Sequence, residues 1–402
     1  MDIGIFGLWG MNIPGVSFGG FDTAFTEVGE RLADQGHDVT IYCRRERYPE
    51  DNRPKTYKNV KLVYVPTVDQ KDLSFLSALT YAVFHALFKQ KHDIYLFANV
   101  GSGWHCLFVK LLGKRVILNV DGLDWVRGKW GRIARTYFRS AAHAGLFACD
   151  ALVTDADAMV DFYMKEFNRK LEMIAYGAYI ENSEEPSLIK KYDVERDGYY
   201  LIASRLVPEN HADLIIEAFN GVQTERKLII AGDANYDSPF HKKIRNSGDQ
   251  RVIFTGWINN QSEIKELHCN AYAYLHGHSV GGTNPALLKA LGYSNMILAL
   301  NTPFNSEVLD KGKYGILFEK DVEDLRSKIE FVEHNPAEME KYRQLGPERI
   351  QEKYNWDDIA EQYLILMQEV LNGRSESSSG IRVIQFGIIA FILLLILLIV
   401  FL

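Results

Sequence analysis

The segment 276–285 reads HGHSVGGTNP and contains the residue types of a site for a negatively charged ligand. It follows an apolar run and precedes a helical pattern, in which Asn284 suits the N-cap position and Pro285 the first helical position. Gly281 and Gly282 allow the backbone to approach a ligand closely, and the free amides of a helix N-terminus bind diphosphate. The segment therefore predicts a phosphate-binding loop, with a capped turn that holds no ligand as the alternative.

A second candidate site is the segment 204–210, which reads SRLVPEN and also lies between an apolar run and a helical pattern. The planar guanidinium of Arg205 matches the geometry of phosphate oxygens. The alternative is an arginine in an ordinary surface loop. The equivalent position of the two segments, each directly after a predicted strand, favours the phosphate site.

Asp121 and His278 are the candidate catalytic residues. Asp121 ends an apolar run, where its carboxylate can bind sugar hydroxyls or accept a proton, although a helix cap or a solvated turn is an equal alternative. His278 lies inside the loop 276–285, where two histidines and two adjacent glycines together favour a site. Gly19 and Gly20 follow the first apolar run without G-x-G-x-x-G spacing, so they predict exposed amides for a phosphate or an acceptor and not a dinucleotide site.

Two charged clusters have open interpretations. Arg132, Arg135 and Arg139 share one helical face, which suits an anionic membrane surface or a lipid-linked phosphate, or else is a solvated basic face. Asp155 and Asp157 have the spacing of metal-chelating carboxylates, but they follow a strand and open a helix. We therefore expect N-capping and dipole pairing there, and no metal.

The elements that must position these residues alternate between apolar runs of strand length and helical patterns. One series occupies residues 1–181 and a second occupies 199–355, with a charged linker predicted at 182–198. A further helix at 356–372 is expected to return to the first domain. Two doubly wound α/β domains result, and in such sheets ligands bind beyond the carboxyl ends of the strands, where every candidate segment lies.

The bulk composition excludes several classes of protein. The 402 residues carry a net charge of -7, which gives no indication of nucleic acid binding, and the four cysteines have no C-x-x-C spacing. The first residues lack a basic n-region, so no signal peptide is predicted. Residues 383–402 are apolar except for Gln385 and are long enough to span a bilayer. After a tether at 373–382, they predict a single-pass C-terminal anchor with the globular part facing the cytosol.

The motifs resemble those of the family 4 retaining glycosyltransferases of GT-B fold, from Met1 to about Gln368. The resemblance is greatest to a bacterial polysaccharide subgroup that includes rhamnosyltransferases, and it rests on the following motifs: Gly19-Gly20-Phe21, Gly36-His37, Tyr42-Cys43-Arg44-Arg45, Asn119 to Leu123, Arg205 to Asn210 and the run 276–285.

The resemblance implies a donor site made mainly by the second domain and an acceptor site made by the first. It places Arg205, Asn210 and the amides of Gly281, Gly282 and Thr283 at the donor diphosphate. It also implies retention of configuration without a metal or other cofactor.

Lys289 departs from the pattern of the family. Members often carry a glutamate at this position, where the carboxylate holds the ribose hydroxyls, and an ammonium cannot accept those hydrogen bonds. Either Lys289 reaches the phosphate and the nucleotide is held differently, or activity is weakened.

The function expected from the sequence is transfer of a hexose or deoxyhexose, with rhamnose favoured, from a dTDP- or UDP-linked donor to a glycan or lipid-linked glycan acceptor at a membrane. The alternatives are a catalytically degenerate protein that binds nucleotide sugar or scaffolds other transferases, and a sugar-nucleotide epimerase. Nucleic acid is not an expected partner.

Overall fold

The computed structural model describes residues 1–68, 70, 73–121, 123, 125, 131–233, 239–245 and 249–373. Its chain divides into two compact units. The first contains Met1–Ala175 together with the chain from Trp356 onward, and the second is Tyr176–Asn355.

The first unit contains one sheet with the strand order β3-β4-β2-β1-β5-β6-β7-β8. Its neighbouring strands pair in parallel, except for the antiparallel pair β3 and β4. The strands are β1 (Asp2–Phe6), β2 (Asp38–Arg44), β3 (Thr56–Tyr57), β4 (Val60–Val65), β5 (Ile94–Ala98), β6 (Arg115–Asn119), β7 (Ala151–Thr154) and β8 (Glu172–Met173).

Helices connect the parallel strands of this sheet. They are α1 (Gly20–Asp34), α2 (Ser74–Lys89), α3 (Gly103–Leu111), α4 (Arg132–Ala148) and α5 (Asp157–Phe167). The residues of β5 are all buried, which is typical of a central strand covered by helices on both faces. At the end of β1, Gly7 has a φ of +85°, and a Cβ there would lie 2.4 Å from the carbonyl oxygen of Ala98.

The second unit has a sheet of order β11-β10-β9-β12-β13-β14, in which all pairs are parallel. Its strands are β9 (Tyr199–Ala203), β10 (Lys227–Ala231), β11 (Val252–Gly256), β12 (Ala273–His276), β13 (Ile297–Leu300) and β14 (Ile316–Phe318). Its helices are α6 (Ala212–Asn220), α7 (Pro239–Arg245), α8 (Gln261–Cys269), α9 (Pro285–Gly292), α10 (Pro303–Val308), α11 (Val322–His334) and α12 (Pro336–Lys353).

The last described helix, α13 (Trp356–Leu371), packs on α1 of the first unit. Asp357 pairs with Arg31 at 2.7 Å, and the Tyr363 hydroxyl accepts a hydrogen bond from the Asn119 side chain at 3.1 Å. Tyr363 is also in edge contact with Phe25. These contacts fix α13 against both α1 and the end of β6.

The domain boundary lies at 175/176, six residues before the position expected from the sequence. The predicted linker 182–198 belongs to the second unit, because the Glu266 carboxylate accepts hydrogen bonds from Ser183 and from the amides of Glu184 and Glu185. A short 3-10 helix at Pro186–Tyr192 follows these contacts.

The predicted tether beyond Gly373 and the predicted membrane segment 383–402 lie outside the described residues, so both stay predictions. Among the residues that the structure does describe, no helix combines the length and the apolar composition needed to cross a bilayer.

Candidate active site

The two predicted phosphate loops of the second unit lie side by side. They follow β9 and β12, which are neighbouring strands of the sheet. The amide and the hydroxyl of Ser279 both donate to the carbonyl oxygen of Glu209, each at 3.0 Å. A Cβ on Gly277 would lie 2.3 Å from the Asn210 carbonyl oxygen, so this close contact requires glycine. The two loops therefore form one structural feature at the carboxyl edge of the sheet.

The Arg205 side chain is exposed, whereas its backbone is held firmly. The Arg205 carbonyl oxygen accepts hydrogen bonds from the Asn210 side chain at 2.8 Å and from the Val207 amide at 3.0 Å. The neighbouring Leu206 is buried in the core, and its amide donates a hydrogen bond to the backbone carbonyl oxygen of Asp233. No described carboxylate pairs with the guanidinium, which is therefore available to an anionic ligand. Asn210 holds the loop that carries Arg205.

The N-terminus of α9 has the cap that the sequence predicts. The Asn284 side chain accepts a hydrogen bond from the Ala286 amide at 2.9 Å, and Pro285 is the first helical residue. Gly281 has a φ of +126°, and a Cβ there would point into open space. Gly282 is half-buried and Thr283 is buried. Because this backbone conformation disfavours other residues, Gly281 shapes the loop that leads to the free amides of the helix.

Two histidine rings stack on each other, one at the end of β12 and one in the loop that follows it. The rings of His276 and His278 are parallel, with centroids 4.3 Å apart. Burial lowers the pKa of His278 to about 4, and the positive charges of Arg205 and His211 act in the same direction. Burial also holds the pKa of His276 well below its ordinary value. Both imidazoles are therefore neutral near pH 7, and His278 acts there as a neutral group.

The backbone around the histidines is tied into the same feature. The His211 ring nitrogen Nδ1 lies 2.9 Å from the Gly277 carbonyl oxygen, and the Asn305 side chain donates to the His278 carbonyl oxygen at 2.9 Å. Two buried ring nitrogens, Nε2 of His276 and Nδ1 of His278, have no hydrogen-bond partner among the described residues.

Lys289 lies in the second turn of α9 and its side chain reaches solvent. Desolvation of the ammonium by the surrounding protein lowers the pKa of Lys289, and the negative charge of Glu181 opposes this shift. The Glu181 amide donates to the carbonyl oxygen of Gly292, at the last residue of α9. An accessible cation therefore lies on the helix whose N-terminus forms the candidate phosphate loop.

Gly19 and Gly20 open α1 in the first unit, as expected, with Gly19 at the N-cap. A Cβ on Gly19 would meet nothing within 4 Å. Asp22, in the first turn of α1, is buried and accepts hydrogen bonds from the amides of Trp9 and Gly10 at 2.7 and 3.1 Å. Because this carboxyl lies at the positive end of the helix dipole, it partly compensates that dipole. Asp22 was missed in the sequence, where nothing marks it apart from other first-turn acids.

Asp121 is buried after β6, and its amide donates to the side chain of Asn119 at 3.0 Å. Asp155 is buried after the neighbouring strand β7. Burial raises the pKa of Tyr363, and the carboxylates of Asp155 and Asp121 act in the same direction. The N-cap of α5 is Ala156 and not one of the two aspartates, so the expected N-capping is wrong, whereas Asp157 lies in the first turn, as dipole pairing requires. Within the described ranges, no three potential ligand side chains gather at a metal-sized site.

Arg132, Arg135 and Arg139 are exposed in the first half of α4, where Ile133 is 89% exposed. Arg139 pairs with Glu166 at 3.3 Å. Residues 122, 124 and 126–130, which lie between Asp121 and this face in the sequence, are outside the described residues.

Two family models match the two halves of the chain. The model described as "Glycosyltransferase Family 4" matches residues 18–179, and the model described as "Glycosyl transferases group 1" matches residues 185–349. The chain belongs to the GT-B glycosyltransferases.

Solved glycosyltransferases share the fold of this transferase at low sequence identity. The sucrose-phosphate synthase of Thermosynechococcus elongatus has a TM-score of 0.75 at 16% identity, over 92% of this chain and 99% of that chain. Anabaena HepE in complex with UDP and glucose has a TM-score of 0.73 at 14% identity, over 92% and 100%. WaaG, which is involved in lipopolysaccharide biosynthesis, has a TM-score of 0.67 at 15% identity, over 91% and 99%.

A sequence relative is the probable sucrose-phosphate synthase of Thermosipho melanesiensis, with 24% identity over 185 residues. The alignment covers 42% of this glycosyltransferase and 41% of the relative, so it spans less than half the length of that protein. None of these comparisons identifies the subgroup with rhamnosyltransferases, which the sequence motifs favour.

Proposed function

We propose that this glycosyltransferase moves a hexosyl or deoxyhexosyl group from a nucleoside diphosphate sugar to a glycan acceptor, with retention of anomeric configuration. The joined loops of the second unit carry the proposal. They present an accessible guanidinium, a capped helix N-terminus and a positive-φ glycine in one feature. This combination suits a diphosphate, because charge-assisted hydrogen bonds and free helix amides both stabilise negative charge.

In the proposed reaction, the acceptor hydroxyl oxygen bonds to the anomeric carbon while the bond from that carbon to the diphosphate oxygen breaks. The electron pair of the broken bond passes to the leaving diphosphate, whose oxygen takes the proton of the acceptor on the same face. Arg205 and the amides of Gly281, Gly282 and Thr283 stabilise the developing charge. Neutral His278 lies beside Arg205 and positions the loop. No metal or other cofactor is part of the proposal.

The first unit contributes the remaining proposed contacts. Gly19 and Gly20 present backbone at the start of α1, where little side-chain bulk blocks a ligand. Asp121 is proposed to act on the transferred sugar or the acceptor, and its position after β6 fits the general location of ligand sites in parallel sheets. These roles rest on the family resemblance and on the placement of each residue within its own unit.

The proposed donor is a UDP- or dTDP-linked sugar. The structure of Anabaena HepE with UDP-glucose has a TM-score of 0.72 to this chain at 12% identity. UDP-linked sugars are therefore the first donors to test. Rhamnose as the transferred sugar rests on the sequence motifs alone. The accessible ammonium of Lys289 supports a contact to phosphate and not to ribose hydroxyls.

The proposed acceptor is a growing glycan, carried by a lipid at the cytosolic face of a membrane. The apolar sequence 383–402 supports a single-pass anchor, and the exposed Arg132, Arg135 and Arg139 support binding of an anionic acceptor group or of the membrane surface itself.

A second candidate function is a non-catalytic protein that binds nucleotide sugar or scaffolds other transferases. Lys289 favours it, because a cation replaces the carboxylate that the resemblance implies. The test is the melting temperature of the protein with UDP, dTDP and their sugar conjugates, since a ligand that binds the folded state raises it. A shift with one nucleotide sugar, together with release of its nucleoside diphosphate, supports the transferase. A shift without turnover supports the scaffold, and no shift with any compound contradicts a nucleotide-sugar site.

A further inference from the structure

An exposed apolar surface lies on the first unit, at the opposite edge of the sheet from the candidate ligand residues. It is made by the ends of α2 and α3, just before β5 and β6 begin. We call this surface the α2–α3 patch, and it consists of Phe84, Phe88, Leu111 and Leu112, which lie over the buried side chain of Phe108. Phe88 is 81% exposed, Leu112 is 52% exposed and Leu111 is 37% exposed.

The members of the α2–α3 patch are continuous with one another. The Phe84 ring stacks on Phe88 with centroids 6.0 Å apart and lies at the same distance from Phe108. Leu111 and Leu112 follow Phe108 by three and four residues, which places them beside it at the end of α3. These side chains form one contiguous apolar surface, whereas single exposed apolar residues are common on any protein. Contiguous apolar surfaces of this kind often mark sites of contact with another molecule or with a membrane.

Lysines surround the patch. Lys89 and Lys91 follow Phe88 and are exposed, and Lys114 follows Leu112 and is half-buried. No described carboxylate lies within ion-pair distance of these three ammonium groups. Lysines at helix C-termini also complement the helix dipole. That local role does not account for a phenylalanine exposed beside them.

The other charged groups near the patch are already engaged. Lys110 and Arg115 both pair with the buried carboxylate of Asp150, at 2.5 and 3.2 Å. The carboxylate of Asp93 accepts a hydrogen bond from the Asp2 amide, and that of Asp2 lies beside His92. The five cationic groups of this region, which are Lys89, Lys91, Lys110, Lys114 and Arg115, outnumber its three carboxylates, which are Asp2, Asp93 and Asp150. The rim is therefore locally cationic on a chain whose net charge is -7.

We propose that the α2–α3 patch rests on the surface of an anionic lipid bilayer, with its apolar side chains in the headgroup region and its lysines against the lipid phosphates. An apolar surface with a cationic rim fits such an interface, because lysines near an anionic membrane surface add electrostatic attraction to the burial of apolar side chains. A second copy of the chain is a poorer occupant, because two cationic rims would repel each other.

The contact does not need to be strong. If the apolar sequence 383–402 anchors the chain, the patch binds the same bilayer within one molecule, and a tether of this kind raises the effective concentration of a weak surface site. The patch would then orient the first unit. The carboxyl edge of its sheet would face away from the bilayer, so in this arrangement Arg132 and Arg135 at the start of α4 would bind an anionic group of an extended glycan acceptor and not the membrane surface.

The test uses the full-length protein in vesicles that contain brominated lipid, which quenches tryptophan fluorescence only at close range. One variant is Phe88→Trp, and the matched control is Phe331→Trp, because Phe331 is 45% exposed on α11 of the second unit. Vesicles of phosphatidylcholine alone are compared with vesicles that also contain phosphatidylglycerol. Wild-type fluorescence supplies the background of the six native tryptophans.

Quenching of the introduced tryptophan at position 88 but not at position 331, enhanced by phosphatidylglycerol, is the expected result. Adding Lys89→Glu, Lys91→Glu and Lys114→Glu should remove that enhancement. Equal, background-level quenching at both positions would overturn the proposal and leave the C-terminal segment as the only attachment. Loss of quenching with concentration-dependent self-association would assign the patch to a second copy instead. Nucleotide binding in the same samples reports separately on the proposed transferase function.

Discussion

The amide of Ser279 donates to the carbonyl oxygen of Glu209 at 3.0 Å, and this bond joins the loop after β12 to the loop after β9. The position of Arg205 relative to the N-terminus of α9 therefore depends on backbone contacts and on a glycine at position 277.

Arg205→Ala should weaken binding of UDP or of the cognate donor by about 2 kcal/mol, roughly 30-fold, because a charge-assisted phosphate contact is lost. The melting temperature should not change, since the guanidinium is exposed. Calorimetric titration with UDP measures the effect. Arg196→Ala removes another exposed arginine of the second unit and should bind UDP like the wild type. Equal affinity in both variants would remove Arg205 from the site.

Gly277→Ala should destabilise the second unit by about 1–3 kcal/mol, because the new methyl group would press on the Asn210 carbonyl oxygen. UDP affinity should fall as well, since the two loops must separate. Urea denaturation and titration measure the two effects. Gly131→Ala is the control, because a Cβ there would meet nothing within 4 Å. A variant at 277 with wild-type stability would show that the close contact is absent in solution.

The stability of the second unit should fall as the pH drops from about 6.5 toward 4. Burial lowers the pKa of His268 and of His278 to about 4, whereas an unfolded histidine titrates near 6.5. Between these values the unfolded chain binds more protons than the folded one, so the free energy of unfolding decreases as the pH falls. Urea titrations at several pH values should show a shallower dependence for His278→Gln. His334→Gln, at an exposed position, should match the wild type; an unchanged slope in both would contradict the buried neutral imidazole.

Lys289→Met should weaken UDP binding by about 1 kcal/mol, roughly fivefold, and leave uridine binding unchanged if the ammonium contacts phosphate. Titrations with UDP and uridine separate the two parts of the nucleotide. Lys190→Met, at another exposed lysine of the second unit, serves as the control. Unaltered UDP binding together with tighter binding by Lys289→Glu would instead indicate a site weakened by the lysine.

A chain that ends after Gly373 should keep its melting temperature, because the described contacts of α13 end before that point. If the apolar sequence is the anchor, the shortened protein should be released from membranes by salt, whereas the full chain should resist it. Sedimentation of membranes with and without salt measures this. Salt-resistant binding of the shortened chain would place an anchor within the first 373 residues.

The alternation of apolar runs and helical patterns predicts the central strands well, because buried parallel strands are apolar along their whole length. The strands Tyr199–Ala203 and Lys227–Ala231, for example, coincide with such apolar runs. The α9 N-terminus was equally predictable, since Asn284 and Pro285 are strong local signals. These features depend on residues close together in the chain.

Features that depend on distant contacts could not be predicted. The close approach of Gly277 to Asn210 and the burial of Asp22 under Trp9 and Gly10 arise only when separate loops pack together. The segment 182–198 reads as a linker because it is charged, but Glu266 binds its backbone and attaches it to the second unit. Charge alone does not distinguish a linker from a surface segment with a specific partner.

Turnover of nucleotide sugars tests the central claim most directly. The full-length protein is incubated with UDP-glucose, dTDP-rhamnose and related donors, and products are followed by phosphorus and proton NMR. We predict that one donor is consumed, that its nucleoside diphosphate appears, and that the sugar first released or transferred keeps the anomeric configuration of the donor. An isomeric nucleotide sugar as the product, or binding of a donor without any consumption in the presence of acceptor glycans, would contradict a retaining glycosyltransferase.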